Sequence, residues 1–559
     1  AHSADQESLW ENTRTGLHAE SADTLSSSNK KQKIMPGKRV LGIEGTAWNF
    51  SAAVFDDDLV CLHSSPYSPP SGGIHPREAA QHHAAVASDV VSKALADANG
   101  KIDAVAFSIG PGLGPSLRTA ATTARTLALK YDVPLIGVNH CVAHVEIGRW
   151  YTKFEDPIVL YASGANTQVL GFLNGRYRIF GETLDIGLGN ALDKFARSHN
   201  LPHPGGPLIE QLAKNGSYIP LPYTVKGMDL AFSGLMSAAK DATTRGASME
   251  DVCHSFQETA FAMCVEVTER ALAHTGKDEV ILVGGVGANM RLQEMLRIMC
   301  EERGARFMAP PRTYMGDNGA MIAYTGKVML EAGSTISVAD SVVNPHYRSD
   351  QVEVTWRADA GELFAPGQSE TAERGAEAAV DLTGVDAVKT RLSKGYRTPA
   401  LDRHLITERT RAEARCIAAA RRGGVPTPII RDVTETSIIM EKLEGDVLKY
   451  VITPDYAHAA GKTVGRLHQA GLVHGDLTTS NMIWKDSRVY LLDFGLAQMT
   501  EEVEPRGVDL HVLFQTLEST TENPEILRAA FTEGYRAAFA GADAVLAREH
   551  EIELRGRYL

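Results

Sequence analysis

The feature that most constrains the fold is a repeated alternation of short apolar strand patterns with helical patterns. The predicted strands are 39–43, 51–55, 103–109, 133–138, 157–162, 167–173 and 279–283, and the main predicted helices are 76–97, 116–131, 205–214 and 250–275. Such alternation is typical of α/β layers, in which helices cover the faces of a sheet. Two strand-and-turn units, at 39–46 and 157–167, end in similar glycine-containing turns. They predict a duplicated core.

Composition excludes several classes of protein. The 559 residues are 43% hydrophobic and 22% charged, which is ordinary for globular domains and excludes disorder over most of the length. The longest apolar stretch, near 279–288, is broken by glycines and is shorter than the roughly 18 residues of a membrane helix, so no membrane partner is expected. Six cysteines without a C-x-x-C pattern favour a reducing, cytoplasmic location. A net charge of −13 excludes a globally basic nucleic-acid coat but permits a local basic groove.

Changes in composition divide the chain into four parts. The predicted parts are a disordered leader at 1–35, a first domain at 36–356, a polar linker at 357–372 and a second domain at 373–559. The leader is poor in apolar residues and lacks the apolar core of a secretory signal. In the second domain, β-like stretches near 377–392 and 436–441 flank an arginine-rich helix at 407–422.

The second domain carries a motif with phosphoryl-transfer chemistry. The sequence His474-Gly475-Asp476-Leu477-Thr478-Thr479-Ser480-Asn481 is followed by Asp493-Phe494-Gly495. This is the spacing of a kinase catalytic loop and its D-F-G turn. Asp476 can orient the attacking oxygen, while Asn481 and Asp493 offer hard oxygen ligands to Mg²⁺ on the nucleotide phosphates.

Other parts of a nucleotide site lie upstream of this loop. Lys389, in an alternating strand pattern, fits the lysine that pairs with the phosphates, and Lys394 is the rival. Glu413 on the predicted helix is its natural partner, with Glu408 as the rival. The loop that covers the nucleotide is degenerate, since it contains Gly375 where protein kinases have three glycines.

These motifs, together with the segment 394–402, resemble the small RIO-like serine/threonine kinase family of the KEOPS complex. The resemblance covers about 370–559 and implies a small two-lobed, protein-kinase-like α+β domain that uses Mg-ATP. It implies catalytic roles for Asp476 and Asn481 and nucleotide or magnesium binding by Gly375, Lys389, Glu413, Asn481 and Asp493. The chain has no A-P-E motif after Gly495 and ends in Arg-Gly-Arg-Tyr-Leu where the family has a basic tail.

The first domain contains two H-x-x-x-H pairs. His140 and His144 would share one face of a helix and so could hold one metal ion, although the spacing alone is equally compatible with a structural role. His199 and His203 enclose Pro202, which makes a common helical face implausible.

Three glycine-rich turns accompany the first histidine pair. They are Tyr161–Thr167, Val283–Asn289 and Gly316–Ala320, and their backbone N–H groups can cradle an anion. Together they are similar to the turns of the actin-like (ASKHA) ATPase fold, which binds nucleotide between two duplicated lobes.

Nine motifs in order make the resemblance more specific. They are 42–47, 110–115, 140–144, 161–168, 193–197, 204–207, 232–235, 284–289 and 316–319. They resemble the universal tRNA threonylcarbamoyladenosine transferase family, the catalytic subunit of KEOPS, over about 38–350. Ala165 replaces a glycine often present in that family. Fusion of the transferase to the kinase resembles an archaeal arrangement.

The transferase resemblance implies an activity, partners and a set of site residues. The activity is transfer of the threonylcarbamoyl group of threonylcarbamoyl-AMP to N6 of adenosine 37 in tRNAs reading ANN codons, with other KEOPS subunits as partners. The implied metal ligands are His140, His144, Tyr161 and Asp317, a mixed N/O set that suits iron, with zinc as the alternative. The implied residues for the adenylate are Tyr161, Ala162, Ser163, Gly164, Ala165, Asp193, Gly206, Glu210 and Asn289.

Three other functions stay open at this stage. A metalloprotease would need a glutamate inside the histidine motif, where Cys141 stands. A sugar kinase or chaperone-like ATPase would use an aspartate where Glu44 stands. A non-catalytic scaffold would not require the kinase motif to be intact. A basic cluster in the second domain indicates either a solvated helix face or a tRNA contact. Its members are Arg391, Lys394, Arg397, Arg403, Arg409, Arg411, Arg415, Arg421 and Arg422.

Overall fold

Two five-stranded sheets of the same topology form the first domain. The computed structural model describes residues 38–69, 73–173, 175–357 and 377–558. The strands of the first sheet are β1 (Val40–Glu44), β2 (Asn49–Phe55), β3 (Leu59–Pro66), β4 (Ala104–Gly110) and β5 (Leu135–Asn139). They lie in the order β3-β2-β1-β4-β5, with β1 antiparallel to β2 and parallel to β4.

The second sheet repeats this pattern. Its strands are β6 (Ile158–Ala162), β7 (Thr167–Leu173), β8 (Arg176–Glu182), β11 (Glu279–Val283) and β12 (Arg306–Met308), and a small hairpin of β9 (Val225–Lys226) and β10 (Asp229–Leu230) stands apart from it. The order is β8-β7-β6-β11-β12, with three antiparallel strands followed by two parallel ones. The predicted duplication of the core is therefore confirmed.

Helices cover both sheets. They are α1 (Pro76–Asp97), α2 (Gly114–Tyr131), α3 (His140–Thr152), α4 (Leu188–Ser198), α5 (Gly205–Ala213), α6 (Ser233–Thr244), α7 (Met249–Thr275), α8 (Met290–Arg303), α9 (Arg312–Met315) and α10 (Gly319–Glu331). Helix α7 is buried over most of its length, and α10 returns to pack on the first sheet. At that contact Gly42 is required, since a Cβ there would lie 2.2 Å from the Ala323 backbone nitrogen.

The second domain has a small sheet followed by a helical part. Its strands are β13 (Ala378–Asp381), β14 (Asp386–Arg391), β15 (Ile430–Val433), β16 (Ser437–Glu441), β17 (Asp446–Val447), β18 (Leu472–Val473), β19 (Met482–Lys485), β20 (Arg488–Leu491) and β21 (Gln498–Met499). Its helices are α11 (Pro399–Arg422), α12 (Leu448–Val451), α13 (Pro454–Gln469), α14 (Val503–Thr520), α15 (Pro524–Ala538) and α16 (Ala542–Tyr558). Strands β13, β14, β16 and β15 form one antiparallel sheet next to α11.

The predicted elements agree with these bounds at most places. The helices predicted at 76–97 and 250–275 are α1 and α7 to within one residue. The predicted helix at 407–422 is wrong at its start, because α11 begins at Pro399, where proline occupies the first turn and needs no hydrogen-bond partner. The predicted leader, and all but the first residue of the predicted linker, lie outside the described residues.

One hydrophobic cluster of the first domain extends into the second. Residues from Lys38 onward group as a single compact unit. Tyr396, Leu401 and Leu405 of the second domain are buried in the same cluster as Phe261 and Leu272 of α7. Among the described residues, no helix combines the length and apolar character that a membrane crossing requires.

Candidate metal centre and nucleotide site

Helix α3 presents the first histidine pair. Asn139 caps the helix, because its side-chain oxygen accepts a hydrogen bond of 3.1 Å from the backbone N–H of Val142. His140 and His144 are then one turn apart and both are buried. Their ring centroids are 4.9 Å apart, so both imidazoles face the same small space, as the spacing predicts.

Asp317 reaches the same space from the loop before α10. Its Oδ1 lies 3.4 Å from Nε2 of His140 and 3.2 Å from Nε2 of His144. One ligand atom from each of the three residues lies within 4.8 Å of the others. The Asn49 side chain fixes the loop by donating a 2.7 Å hydrogen bond to the Asp317 carbonyl oxygen. Two histidines and a carboxylate thus converge from distant parts of the chain.

Tyr161 completes the group at the end of β6. The side chain is fully buried, and its ring centroid lies 5.1 Å from that of His144. Among the described residues, its hydroxyl has no hydrogen-bond partner. A buried polar group without a partner costs about 1–3 kcal/mol. A cation at this point would satisfy the oxygen, so the residues present fit a metal ion.

The electrostatics of the space also favour a cation. Burial alone would lower the pKa of His140, but the carboxylates of Glu44 and Asp317 outweigh it and hold that pKa well above its usual range. Burial lowers the pKa of His144. Burial would raise the pKa of Asp317, yet the His140 charge holds it far below its ordinary value. The carboxylates of Glu44 and Asp317 therefore favour a positive charge in this space. Without a metal ion, a protonated His140 would supply that charge.

The second histidine pair does not form such a group. Nε2 of His199 lies 2.8 Å from the Thr243 hydroxyl, whereas Nδ1 of His203 lies 3.4 Å from a carboxylate oxygen of Asp193. Within the described ranges, neither histidine belongs to a cluster with metal-ligand spacing.

The turn predicted to hold the adenylate continues directly from Tyr161. Ala162 ends β6, and Ser163, Gly164 and Ala165 form the turn that leads into β7. The backbone of this turn touches Gly187, where a Cβ would lie 2.4 Å from Ala165. The absence of a side chain at that position allows the close approach.

The other predicted adenylate residues join α4, α5 and α8. An Asp193 carboxylate oxygen accepts a 2.7 Å hydrogen bond from the Gly205 N–H, next to Gly206. A Glu210 carboxylate oxygen accepts one of 2.9 Å from the N–H of Met290. Asn289 caps α8 by accepting from Arg291 and Leu292. These side chains therefore join α4 to the N-terminus of α5, and α5 to the N-terminus of α8.

A second cluster lies in the second domain. Nζ of Lys389 is 2.7 Å from Glu413 and 2.6 Å from Asp493. Lys394 instead pairs with Glu269 of the first domain, and Glu408 is exposed. Of the two candidate pairs, the structure brings Lys389 and Glu413 together. Gly375 lies outside the described residues.

The catalytic-loop motif is held in a fixed shape. The Asn481 side-chain amide donates to the backbone oxygen of Asp476 at 2.9 Å and to its Oδ2 at 3.3 Å. Asp509 accepts hydrogen bonds from the backbone N–H groups of His474 and Gly475. Burial would raise the pKa of Asp493, but the charge of Lys389 lowers it to about 2. Asp493 is therefore ionised at neutral pH and suits magnesium.

Comparison with known proteins agrees with this two-part arrangement. The family model for tRNA N6-adenosine threonylcarbamoyltransferase matches residues 60–324, and the RIO domain model matches residues 385–511. A protein of Methanocorpusculum labreanum is 83% identical over 94% of this chain and all of its own length. Proteins of Methanoculleus marisnigri and Haloarcula marismortui are 70% and 48% identical, over 94% and 93% of this chain and 99% and 100% of their own lengths. All three are named probable bifunctional tRNA threonylcarbamoyladenosine biosynthesis proteins.

The chain belongs to this bifunctional family. The two predicted resemblances are confirmed at that level, and with them the fold class of an actin-like domain followed by a kinase-like one. Use of a metal ion and of ATP is a general feature of the transferase and RIO kinase families.

Two residues that contact the candidate sites were not predicted from the sequence as site residues. Glu44 contacts Nδ1 of His140, and Arg270 of α7 reaches Asp476 in the second domain. Both contacts join residues far apart in the chain, so no local pattern marks them.

The structure divides the predicted basic cluster of the second domain into two groups. Arg403, Arg411, Arg415, Arg421 and Arg422 are exposed, so for them both interpretations stay predictions, whereas the other four are corrected. Arg391, Lys394 and Arg397 are buried, and Arg409 is mostly covered, so they are neither a solvated face nor a tRNA surface. They pair instead with acidic residues on both sides of the domain interface, namely Glu266, Glu269, Glu377 and Glu413. Charged side chains at this depth require such partners.

Proposed function

We propose that the first domain transfers the threonylcarbamoyl group of threonylcarbamoyl-AMP to N6 of adenosine 37 in tRNAs reading ANN codons. The observation that carries this proposal is the buried group of His140, His144 and Asp317 beside the unpartnered Tyr161 hydroxyl. Tyr161 stands beside His144 and two residues before the turn at Ser163–Ala165, so a metal and a bound adenylate would be neighbours.

Transfer requires one bond to form and one to break. The adenine amine attacks the carbamoyl carbon, the bond from that carbon to the phosphate oxygen breaks, and AMP leaves with the electron pair while the amine loses a proton. An aromatic amine is a poor nucleophile, so its position relative to the carbon controls the rate. In this proposal the turn at Ser163–Ala165 and the residues Asp193, Gly206, Glu210 and Asn289 hold the adenylate in place.

The metal would be held by His140, His144, Tyr161 and Asp317. We propose iron, with zinc as the alternative, because imidazole, phenolate and carboxylate ligands suit both. Such an ion supplies Lewis acidity and an anchor for the oxygens of the mixed anhydride. Glu44 would orient His140 through its Nδ1.

The second domain would bind Mg-ATP and act as an atypical kinase or ATPase that drives or regulates the cycle. Lys389, paired with Glu413, would hold the phosphates, Asn481 and Asp493 would hold the magnesium, and Asp476 would orient the attacking oxygen. Other KEOPS subunits would be its partners. The six free cysteines support a reducing, cytoplasmic setting.

The alternative functions fit the geometry less well. A metalloprotease would need a carboxylate that is free to act as general base. Glu146 is buried and accepts hydrogen bonds from Tyr177 at 2.6 Å and Trp356 at 2.9 Å. In a sugar kinase, Glu44 would face a phosphate, whereas here it accepts hydrogen bonds from the backbone and hydroxyl of Thr46.

The test is mass spectrometry of tRNA nucleosides after incubation with threonylcarbamoyl-AMP and tRNA. The double variant His140→Ala/His144→Ala should lose both bound metal and product. The matched double variant His199→Ala/His203→Ala should keep its metal. Equal metal content in the two variants by elemental analysis would contradict the ligand assignment.

A further inference from the structure

Arg270 of the first domain extends into the catalytic loop of the second. It lies on α7 and is only 9% exposed. Its Nη1 is 3.9 Å from Oδ2 of Asp476, the carboxylate assigned to the attacking oxygen. In the part of the chain that the structure describes, Arg270 is the only basic side chain paired with that carboxylate at this distance.

The guanidinium is fixed from three sides. Nη1 donates a 2.8 Å hydrogen bond to the carbonyl oxygen of Gly227 in the β9–β10 hairpin. Nη2 donates to Glu266 on the same helix and to Glu377 at the start of the second domain. A bound arginine that is already oriented loses little entropy when it meets a ligand.

Arg270 has unused donor capacity towards the catalytic loop. A guanidinium has five N–H donors. Nη1 makes one hydrogen bond, and Nε has no partner among the described residues, although it is buried. Nη1, the group nearest Asp476, therefore has a second N–H that a nucleotide phosphate oxygen can accept.

The first domain also closes this side of the catalytic loop. Gly227 has a left-handed backbone, with φ of 61°, and the point where its Cβ would be lies 3.0 Å from Val512 of α14 and 3.6 Å from the Gly475 carbonyl oxygen. The hairpin thus packs directly against the loop, and Arg270 is part of the wall of the nucleotide site.

Two other cations of that site are already paired with carboxylates. Lys389 is paired with Glu413 and Asp493, and Arg391 with Glu377 and Glu413. Phosphoryl transfer spreads negative charge over the oxygens of the γ-phosphate, and an arginine near the attacking oxygen stabilises that charge. Arg270 is the guanidinium in position to do so.

We propose that Arg270 is a catalytic residue of the second domain, supplied by the first, that binds the γ-phosphate during ATP hydrolysis. The water oxygen forms a bond to the γ-phosphorus, the bond from that phosphorus to the β–γ bridging oxygen breaks, and ADP leaves. Asp476 takes the water proton and returns it to solvent. Glu377 stays paired in this arrangement, because Arg391 and Arg409 also donate to it. The inference rests on the proposed ATPase activity.

The experiment compares Arg270→Gln and Arg270→Lys with Arg303→Gln in the full chain. Arg303 provides a matched control, because its salt bridge is to Glu269 rather than to Asp476. The measurements are release of inorganic phosphate from Mg-ATP in the presence of tRNA, affinity for ATP, affinity for ADP with aluminium fluoride, and melting temperature.

We expect Arg270→Gln to slow phosphate release about 1,000-fold. Binding of ADP with aluminium fluoride, which mimics the transferring phosphoryl group, should fall with it, while ATP affinity changes little. Arg270→Lys should recover only part of the rate, and Arg303→Gln should match the parent. A merely structural role would lower the melting temperature without a selective loss of aluminium fluoride binding.

Two outcomes separate this inference from the proposed activity. If Asp476→Asn abolishes phosphate release while Arg270→Gln retains or exceeds the parent rate, the role of Arg270 is overturned and the ATPase stands. If Asp476→Asn and the parent release phosphate equally, the ATPase assignment itself fails.

Discussion

Oε2 of Glu44 lies 3.1 Å from Nδ1 of His140, on the side of the imidazole ring away from Asp317. Glu44 is fully buried, and its other oxygen accepts hydrogen bonds from the backbone N–H and hydroxyl of Thr46. A carboxylate behind a ligating histidine fixes the ring and raises its basicity. The glutamate at the end of β1 is thus the outer support of the candidate metal centre.

Glu44→Gln is therefore expected to weaken metal binding. Loss of such an outer partner typically costs about 10–100-fold in metal affinity or activity. Competition with a chelator, followed by elemental analysis, measures the affinity. Glu78→Gln is the control, because Glu78 is exposed and contacts only Tyr67 among the described hydrogen bonds. Unchanged metal affinity in the Glu44→Gln variant would mean that the contact between Glu44 and Nδ1 of His140 does not contribute to metal binding.

Asp476→Asn should separate the two activities. Asp476 lies in the second domain, and an activated adenylate already carries the energy for transfer. The variant should lose ATP hydrolysis but retain single-turnover transfer from supplied threonylcarbamoyl-AMP, measured by nucleoside mass spectrometry. Asp317→Ala is the comparison, since it should lose transfer. Equal loss of transfer in both variants, with circular dichroism unchanged, would contradict the division.

The sequence predicted local features well. The bounds of α1 and α7 follow from their periodicity, and His140 and His144 share a helix face because their spacing is one turn. The pairing of Glu44 with His140 joins residues 96 positions apart, and no periodicity reports such a contact. The contact between Glu44 and His140 is determined by long-range packing, which depends on the whole fold.

The basic residues of α11 show the same limit of prediction from local sequence. The pattern of basic residues on α11 fits a solvated helix as well as a tRNA surface. In the structure Arg409 faces Glu266 of the other domain. Burial of a helix against a second domain cannot be predicted from one helix alone, because the partner face lies more than a hundred residues away in the chain.

Glu266 is expected to be essential for stability. Its carboxylate is 1% exposed and pairs with Arg270 at 3.2 Å, Arg397 at 2.7 Å and Arg409 at 3.2 Å. It also accepts a 2.6 Å hydrogen bond from Tyr223. Breaking a buried pair by removing one partner costs about 3–5 kcal/mol, because the other charges stay buried. Glu266→Gln should lower the free energy of unfolding by that order in urea titrations.

Glu294→Gln is the matched control for that variant. Glu294 forms a 2.8 Å ion pair with Arg291, but its side chain is 49% exposed. Exposed pairs contribute about 0–1 kcal/mol, so the loss should be small. Similar losses in the two variants would show that the buried interface adds nothing to stability.

His511 should make the stability of the chain depend on pH. It lies on α14, 3.4 Å from Glu549 of α16, with Gln515 at 2.9 Å on its other nitrogen. Burial would lower its pKa, but the hydrogen bond to Glu549 and the charges of Asp229 and Glu182 raise it above the ordinary value of 6.5. Protonated His511 therefore stabilises the fold fully below pH 6.5, and this stabilisation is lost as the pH rises through the raised pKa.

Asp229 acts in the same direction. Burial raises its pKa from 3.8 to about 6, so the stabilisation that its protonated form contributes is lost as the pH rises to about 6. The melting temperature should also fall as the pH rises above 6.5, and His511→Gln should show a smaller fall there because it cannot lose a proton. Differential scanning calorimetry of both proteins over this range measures the difference. Parallel curves would mean that His511 carries no charge in the folded chain.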